Sequence, residues 1–240
     1  MYSYLKKIIR FIGYNFFKNV IEDYNSYNPV LAFYREQVKS SYNYFKKNFY
    51  HSLLIDSVLD IRKYSIKKSL ENLGSENFNK EYFLEFGVHT GSTLNIFADI
   101  VHKYNRKVVG FDSFLGQNDD WPGYNEKKSS FKFDVKNLKL RNNASIIVGQ
   151  VEDTLLPFLK NKNPKIVFAH LDLDHYPSTA FVLKSIKNYL VPGSILLFNM
   201  IHNYSGWELG SIKALEDNFQ QNEYKFIFFS SKTQATIKII

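Results

Sequence analysis

The sequence predicts an α/β protein: a Rossmann-like doubly wound sheet of about seven strands that ends in an antiparallel hairpin, preceded by an N-terminal helical segment. Three observations predict it. From residue 82 onward, short apolar runs alternate with segments of helical periodicity, the pattern of a parallel sheet with helices on both faces. A pair of glycines bounded by an acid, Glu85-Phe86-Gly87-Val88-His89-Thr90-Gly91, stands between the first run and the first of these helices. The last two apolar runs, 226–229 and 235–239, are separated by only a few residues, too few for a crossover, so they must pair as a hairpin.

The elements follow in order. Residues 82–86 form a buried strand and 92–104 a helix with Leu94, Phe97, Ile100, Val101 and Tyr104 on one face, which Thr90 or Ser92 can cap. Residues 108–111 make the second strand, closed by Asp112, and 144–148 the third. A helix over 152–160 leads to the fourth strand, 166–171; a helix over 178–190, stopped by Pro192-Gly193, leads to the fifth, 194–198. A helix over 208–219 precedes the hairpin. Upstream, a break at 25–29 separates residues 1–21 from a stretch, 31–73, that reads as helical, most clearly over 57–73. The division is therefore an N-terminal helical segment, 1–75, and a core domain, 76–240.

Composition excludes several classes. The chain has 240 residues, enough for one substantial core and an appendage. With 45% hydrophobic and 17% aromatic residues it is not a disordered polypeptide. The absence of cysteine rules out disulfides, thiol nucleophiles and thiolate metal sites. The formal charge of +8 is spread along the chain among Asn, Tyr and Phe, which argues against a specific nucleic-acid footprint. No run approaches the ~18 apolar residues of a membrane span. Residues 1–21 set Lys6, Lys7 and Arg10 among Tyr4, Leu5, Ile8, Ile9, Phe11, Ile12, Phe16 and Phe17, and Arg10 interrupts what would be a signal-peptide core. A cytoplasmic location is expected, with this basic amphipathic helix covering the site, pairing subunits or making peripheral contact with the inner membrane face. The aromatics Tyr44, Phe45, Phe49 and Tyr50 need covering, so a homodimer is expected.

The chemistry starts at the glycine turn. Two glycines let the backbone turn tightly against a ligand, and the helix that follows presents its free N–H groups. Asp112 comes about 20 residues after the turn, where an acid accepts hydrogen bonds from ribose hydroxyls. The turn reads G-x-x-x-G and not G-x-G-x-x-G, with Glu85 just ahead. A carboxylate there repels a pyrophosphate but suits the ammonium of an amino-acid moiety, as in S-adenosylmethionine. Gln150, Glu152 and Asp153 follow the third strand, where an adenine ring is expected, although the two acids would equally serve the dipole of the next helix. The loop 116–133 is long and polar, with Trp121 and Tyr124 able to stack on a sugar face. Asp172-Leu173-Asp174-His175 closes the fourth strand, where the reacting group should sit. Asp174 or His175 can take a proton from an acceptor hydroxyl, His202 is a further base candidate, and Asp172 can bind a divalent metal that acidifies that hydroxyl.

The ordered set Glu85-Phe86-Gly87-Val88, Gly110-Phe111-Asp112-Ser113-Phe114, Trp121-Pro122-Gly123, Glu152-Asp153-Thr154-Leu155, Asp172-Leu173-Asp174-His175-Tyr176 with Ser178-Thr179, and Asn203-Tyr204-Ser205-Gly206-Trp207 resembles the class I S-adenosylmethionine-dependent methyltransferases, and among them the macrocin O-methyltransferase-like sugar enzymes. The resemblance begins near residue 82 and reaches the hairpin. It implies a methyl donor held above the strand ends by Glu85, Gly87, Val88, Gly91, Ser92, Asp112, Ser113, Gln150, Glu152 and Asp172. It implies transfer to a hydroxyl of a sugar or glycosylated acceptor that Trp121, Tyr124, Tyr176 and Trp207 would contact, with Asp172, Asp174, His175 or His202 handling the proton. Related metal-dependent enzymes resembling catechol O-methyltransferase bind Mg2+ with further acids after the fifth strand. Here Asn199 and Met200 stand there, so Asp172 and Asn199 are the metal candidates: the amide carbonyl can ligate, whereas a thioether is a poor ligand for a hard cation. That departure motivates a second reading, a catalytically silent binding protein of the same fold. A third takes Asp172-x-Asp174 as the acid pair of a metal-dependent glycosyltransferase.

Overall fold

A computed structural model of the chain describes residues 13, 28–71, 73, 80–117, 130–173 and 175–240. Helix α1 (Pro29–Phe49) starts where Asn28 accepts hydrogen bonds from the amides of Val30 and Leu31, with Pro29 in the first turn. Strand β1 (Leu53–Ile55) and helix α2 (Val58–Leu70) follow, the helix capped by the Ser57 hydroxyl on the Asp60 amide. Then come β2 (Glu81–Phe86), α3 (Ser92–His102), β3 (Val108–Asp112), β4 (Ala144–Val148), α4 (Val151–Lys162), β5 (Lys165–Leu171), α5 (Tyr176–Ile186), β6 (Leu190–Phe198), α6 (Ser211–Asn218), β7 (Tyr224–Ser230) and β8 (Ala235–Ile239).

The strands form one sheet in the order β1-β7-β8-β6-β5-β2-β3-β4. β8 runs antiparallel to both β6 and β7, and the remaining pairs are parallel. This is the expected doubly wound α/β sheet with its C-terminal hairpin, extended by an eighth strand. The addition corrects the helical reading of 31–73: Leu53, Leu54 and Ile55 pair with Phe228, Phe229 and Ser230 at the sheet edge. A run of three apolar residues carries no periodicity that separates strand from helix. Residues 53–70 are thereby tied to the sheet, because α2 buries Ile61 and Ile66 against it and Ser65 hydrogen-bonds Thr236 of β8 at 2.6 Å.

Two apolar layers hold the sheet. Phe83, Val108, Phe168, Ile195 and Leu197 face α2 and α3, where Leu94, Phe97, Ala98 and Val101 are buried. Leu84, Phe86, Val109, Phe111, Leu196 and Phe198 face α4, α5 and α6 on the other side. Along β2 the assignment alternates residue by residue, as the pleat requires. Phe45 of α1 is fully buried among Trp207, Phe226 and Phe229, and Phe49 packs edge-on against Phe229. Two of the four aromatics that motivated a dimer are therefore covered by the chain's own C-terminal strands. Among the described residues no helix is long and apolar enough to cross a membrane. Apart from residue 13, the helix expected over residues 1–21 lies outside the described residues.

The order of strands matters for the site. The chain leaves β2 outward through β3 to β4, then returns to β5 on the other flank of β2. At such a reversal the loops after adjacent strands part and leave a crevice above their carboxyl ends.

Candidate active site

A cavity of about 360 Å³ occupies that crevice, within the usual size of a small-molecule site. Gly87, Val88 and Ser92 line it from the β2–α3 turn, Asp112 and Ser113 from the end of β3, Gln150 from the end of β4, Asp172 and His175 from the end of β5, and Asn199 from the end of β6. Gly91, at φ +77°, opens α3 just behind this wall.

The turn is built around two constraints. Gly87 has φ +87°, and a Cβ placed on it would lie 2.2 Å from the Asp172 carbonyl oxygen, so the ends of β2 and β5 approach too closely for any side chain. Asp112 supplies the second. Its Oδ2 accepts from the amides of Val88 at 2.7 Å and His89 at 2.8 Å, and its Oδ1 accepts from the Phe114 amide at 2.7 Å. His89 and Phe114 are both left-handed, at φ +48° and +58°, a conformation that costs a non-glycine residue roughly 1–2 kcal/mol. The carboxylate thus fastens the two loops that floor the cavity. With about four lone-pair sites on its oxygens, it keeps acceptor capacity for a ligand hydroxyl.

Behind the turn, Glu85 and His170 form a buried pair on the α2–α3 face of the sheet, Oε1 to Nδ1 at 2.8 Å. Burial, reinforced by Asp172, holds the Glu85 carboxyl well above the usual carboxylate range, and burial with Arg62 holds His170 well below the usual imidazole range. Both shifts favour the uncharged forms of the two side chains. Glu85 is 1% exposed and does not line the cavity. The expectation that it meets a ligand ammonium directly is corrected: the strand pleat turns its side chain beneath α3.

Other expected residues separate in the same way. Glu152 accepts from the Ser178 hydroxyl at 2.7 Å outside the cavity, and it is Ser178 that lines the wall. Tyr176 hydrogen-bonds Asp217 of α6 at 2.6 Å. Trp207 is 2% exposed, donates to the Ser40 hydroxyl at 3.0 Å and packs on Tyr44 and Phe45. His202 sits among Phe45, Phe49 and Phe229 with Nε2 3.2 Å from the Gln234 carbonyl. For these four the structure places the side chain in an interhelical contact or the core rather than at the site. Asp174, Trp121 and Tyr124 lie outside the described residues.

His202 carries a consequence for stability. Burial pushes its imidazole down to about 4, so the folded state keeps it neutral while the unfolded chain protonates it below about 6.5. Between those values the unfolded state binds more protons, and stability falls as pH falls. Glu85 acts in the opposite sense, so the effect is read from a variant. Against His202→Phe, wild-type stability in urea titrations is expected to lose about 3 kcal/mol from pH 7 to pH 4. A gap that does not move with pH would refute the assignment.

Three cavity residues had no signal in the sequence. Gln117 is 7% exposed, and both atoms of its amide are without a hydrogen-bond partner among the described residues, an orphan donor and acceptor suited to the edge of a base. Thr93 lines the wall beside Ser92. Arg62, from α2, donates through Nη1 to Thr93 at 2.8 Å and through Nη2 to Asn199 Oδ1 at 3.0 Å, with Asp172 Oδ2 3.6 Å away. Burial pushes the Asp172 carboxyl up to about 6, against the pull of Arg62 and a hydrogen bond from Asn199.

This arrangement bears on magnesium. The oxygen that Asn199 would offer a metal accepts from a guanidinium, Met200 has no hard oxygen, and among the described residues no three His, Cys, Asp or Glu side chains gather as a metal site. At about 4 Å and an effective dielectric of about 20, two like unit charges repel by about 4 kcal/mol, and a dication beside Arg62 would feel twice that. The residues present do not fit a divalent cation between Asp172 and Asn199. They do fit S-adenosylmethionine: a glycine cradle at a helix N-terminus, an acid with spare lone pairs and an orphan amide converge on one cavity.

Residues 84–201 match the family model described as methyltransferase domain. This part of the chain is similar to a methyltransferase domain. The fold of the chain is a Rossmann-like methyltransferase fold. It is similar to the calicheamicin methyltransferase CalS11, with a TM-score of 0.63 and 24% identity over 75% of this chain and 77% of that one. An apo structure of CalS11, described as a TDP-rhamnose 3'-O-methyltransferase of calicheamicin biosynthesis, has a TM-score of 0.57 at 24% identity, covering 75% and 78%. The O-methyltransferase NovP has a TM-score of 0.59 at 16% identity, again over 75% and 78%. No curated protein matches the sequence.

Proposed function

We propose that this methyltransferase transfers a methyl group to a hydroxyl oxygen of a sugar or glycosylated acceptor. The observation that carries the reading is the placing of His175 and Asp172 on the same cavity as the Gly87 turn, so that donor-binding groups and a proton acceptor share one wall. Support for the acceptor class comes from the sugar enzyme among the structural neighbours and from the ordered motifs. The bound donor supplies an already activated methyl carbon, so the protein has mainly to orient and to deprotonate. The Gly87–Val88 turn and the first turn of α3 receive the amino-acid portion, Asp112 the ribose, and Gln117 and Gln150 the base. His175 accepts the proton of the acceptor hydroxyl, whose acidity in a sugar is too low for transfer without a base.

Calorimetric titration with S-adenosylhomocysteine in the presence of chelator is the direct test, followed by assay of methyl transfer from S-adenosylmethionine to TDP-deoxysugars. Binding in chelator and release of S-adenosylhomocysteine with a nucleotide sugar are the expected results. No binding would overturn the assignment. Binding without transfer to any nucleotide sugar or glycan would favour the silent binding protein, and UDP-sugar binding that requires manganese the glycosyltransferase.

A further inference from the structure

Among the described residues, Arg62 is the one permanently cationic side chain that lines the cavity, and the scheme above leaves it unused. It stands at the start of α2, yet its guanidinium bridges Thr93 of α3 and Asn199 after β6 and lies 3.6 Å from Asp172 after β5. It therefore sits between the two residues that would have shared a metal ion, with its side chain only 18% exposed. A guanidinium is permanently charged and has five N–H donors in a rigid fork, more than the two spent on Thr93 and Asn199. A donor held in advance where charge develops on an oxygen performs the electrostatic task of a Lewis acid without a metal.

We propose that Arg62 is the resident cation of this site: it takes the place of a divalent metal, holds the acceptor oxygen against the cavity wall and makes methyl transfer independent of magnesium. The inference rests on the methyltransferase reading. In the step, the acceptor O–H proton passes to His175 and the oxygen pair forms the new O–CH3 bond. The S–CH3 bond breaks with its electron pair going to sulfur, which cancels the sulfonium charge and leaves S-adenosylhomocysteine. The proton then leaves the imidazolium for solvent, while the charge on Arg62 is unchanged throughout. The same fork excludes a metal, because the Asn199 oxygen already accepts from it.

The test uses the full chain saturated with S-adenosylhomocysteine and Mn2+ as the probe, followed through the electron paramagnetic resonance signal of free Mn2+. Wild type is expected to bind no Mn2+ at millimolar concentration. The double variant Arg62→Ala with Asn199→Asp is expected to bind it, and adding Asp172→Asn should abolish that binding. Wild-type binding of Mn2+ that Asp172→Asn removes would overturn the proposal, and its first measurement is made on the unaltered chain. Arg62→Gln, close in size and uncharged, is expected to lose about 100-fold in transfer rate while its affinity for S-adenosylhomocysteine stays within about threefold, with no rescue by magnesium. Wild-type turnover in Arg62→Gln, or a chelator-sensitive wild type, would equally overturn it. Failure to bind S-adenosylhomocysteine in chelator would instead remove the methyltransferase reading itself, so the two failures are distinguishable.

Discussion

Asp112→Ala is expected to weaken S-adenosylhomocysteine binding by about 100-fold and to lower the unfolding free energy by several kcal/mol. Both effects come from one carboxylate. Its oxygens accept from the amides of Val88, His89 and Phe114, all within 2.8 Å, and two of those residues hold left-handed backbone. Truncation leaves three N–H groups unpaired, those of Val88 and Phe114 partly buried and that of His89 exposed; each of the first two costs about 1–3 kcal/mol where water does not reach it, and the strain that the carboxylate had held in place is released. The floor of the cavity then relaxes, and the ribose partner is gone as well. Asp112→Asn keeps one carbonyl oxygen and should fall between wild type and alanine. Calorimetry and urea titration on the same preparations separate the two losses. Wild-type affinity in Asp112→Ala would show that the strand ends alone hold the turn and would take Asp112 out of the ligand site.

His175→Gln is expected to lower kcat by about 1,000-fold, within the range for loss of a general base, while leaving S-adenosylhomocysteine affinity within about threefold. The imidazole stands at the N-terminus of α5 on the cavity wall, and a neutral histidine can accept a proton near physiological pH. Three other described groups have surroundings of their own. Asp172 faces Arg62 and Asn199, His170 is tied to Glu85, and His202 is enclosed by phenylalanines. Glutamine preserves size and hydrogen-bonding character but cannot carry the proton, so the loss should fall on kcat and not on KM. It is measured as S-adenosylhomocysteine release with the acceptor that wild type methylates. A variant with unchanged kcat would move the base to another residue.

Much of this was legible in the sequence because it is local. The glycine turn, Asp112 at the end of the second strand, the Asp172–His175 segment and the close pair of terminal strands each depend on residues within one supersecondary unit, where spacing and periodicity act directly. The side-chain destinations were less legible. Trp207 stands in a motif that resembles a site and His202 just ahead of it, but α1 and the hairpin fold over them, and a large aromatic gains more from burial than from a solvent-lined wall. Glu85 stands just before the turn, as read from the sequence, yet the two-residue pleat puts its side chain on the sheet face that α3 covers and not in the cavity. The edge strand β1 was too short to show a period.

Arg62 marks the boundary most clearly. No spacing relates a residue of the N-terminal segment to Asn199, 137 positions away, and a single arginine on a mixed helix carries no motif. Its one local hint was its position next to Ile61 on a helix whose apolar face had to be buried. The sequence by itself determined the order and kind of the elements from β2 onward, the glycine turn and the acids that end the strands, because hydrogen-bonding capacity and hydrophobic period act over a few residues. Only the tertiary structure decided which side chains share the cavity, because the reversal of strand order between β2 and β5 and the seating of α2 across β5 and β6 bring together groups that the chain holds far apart.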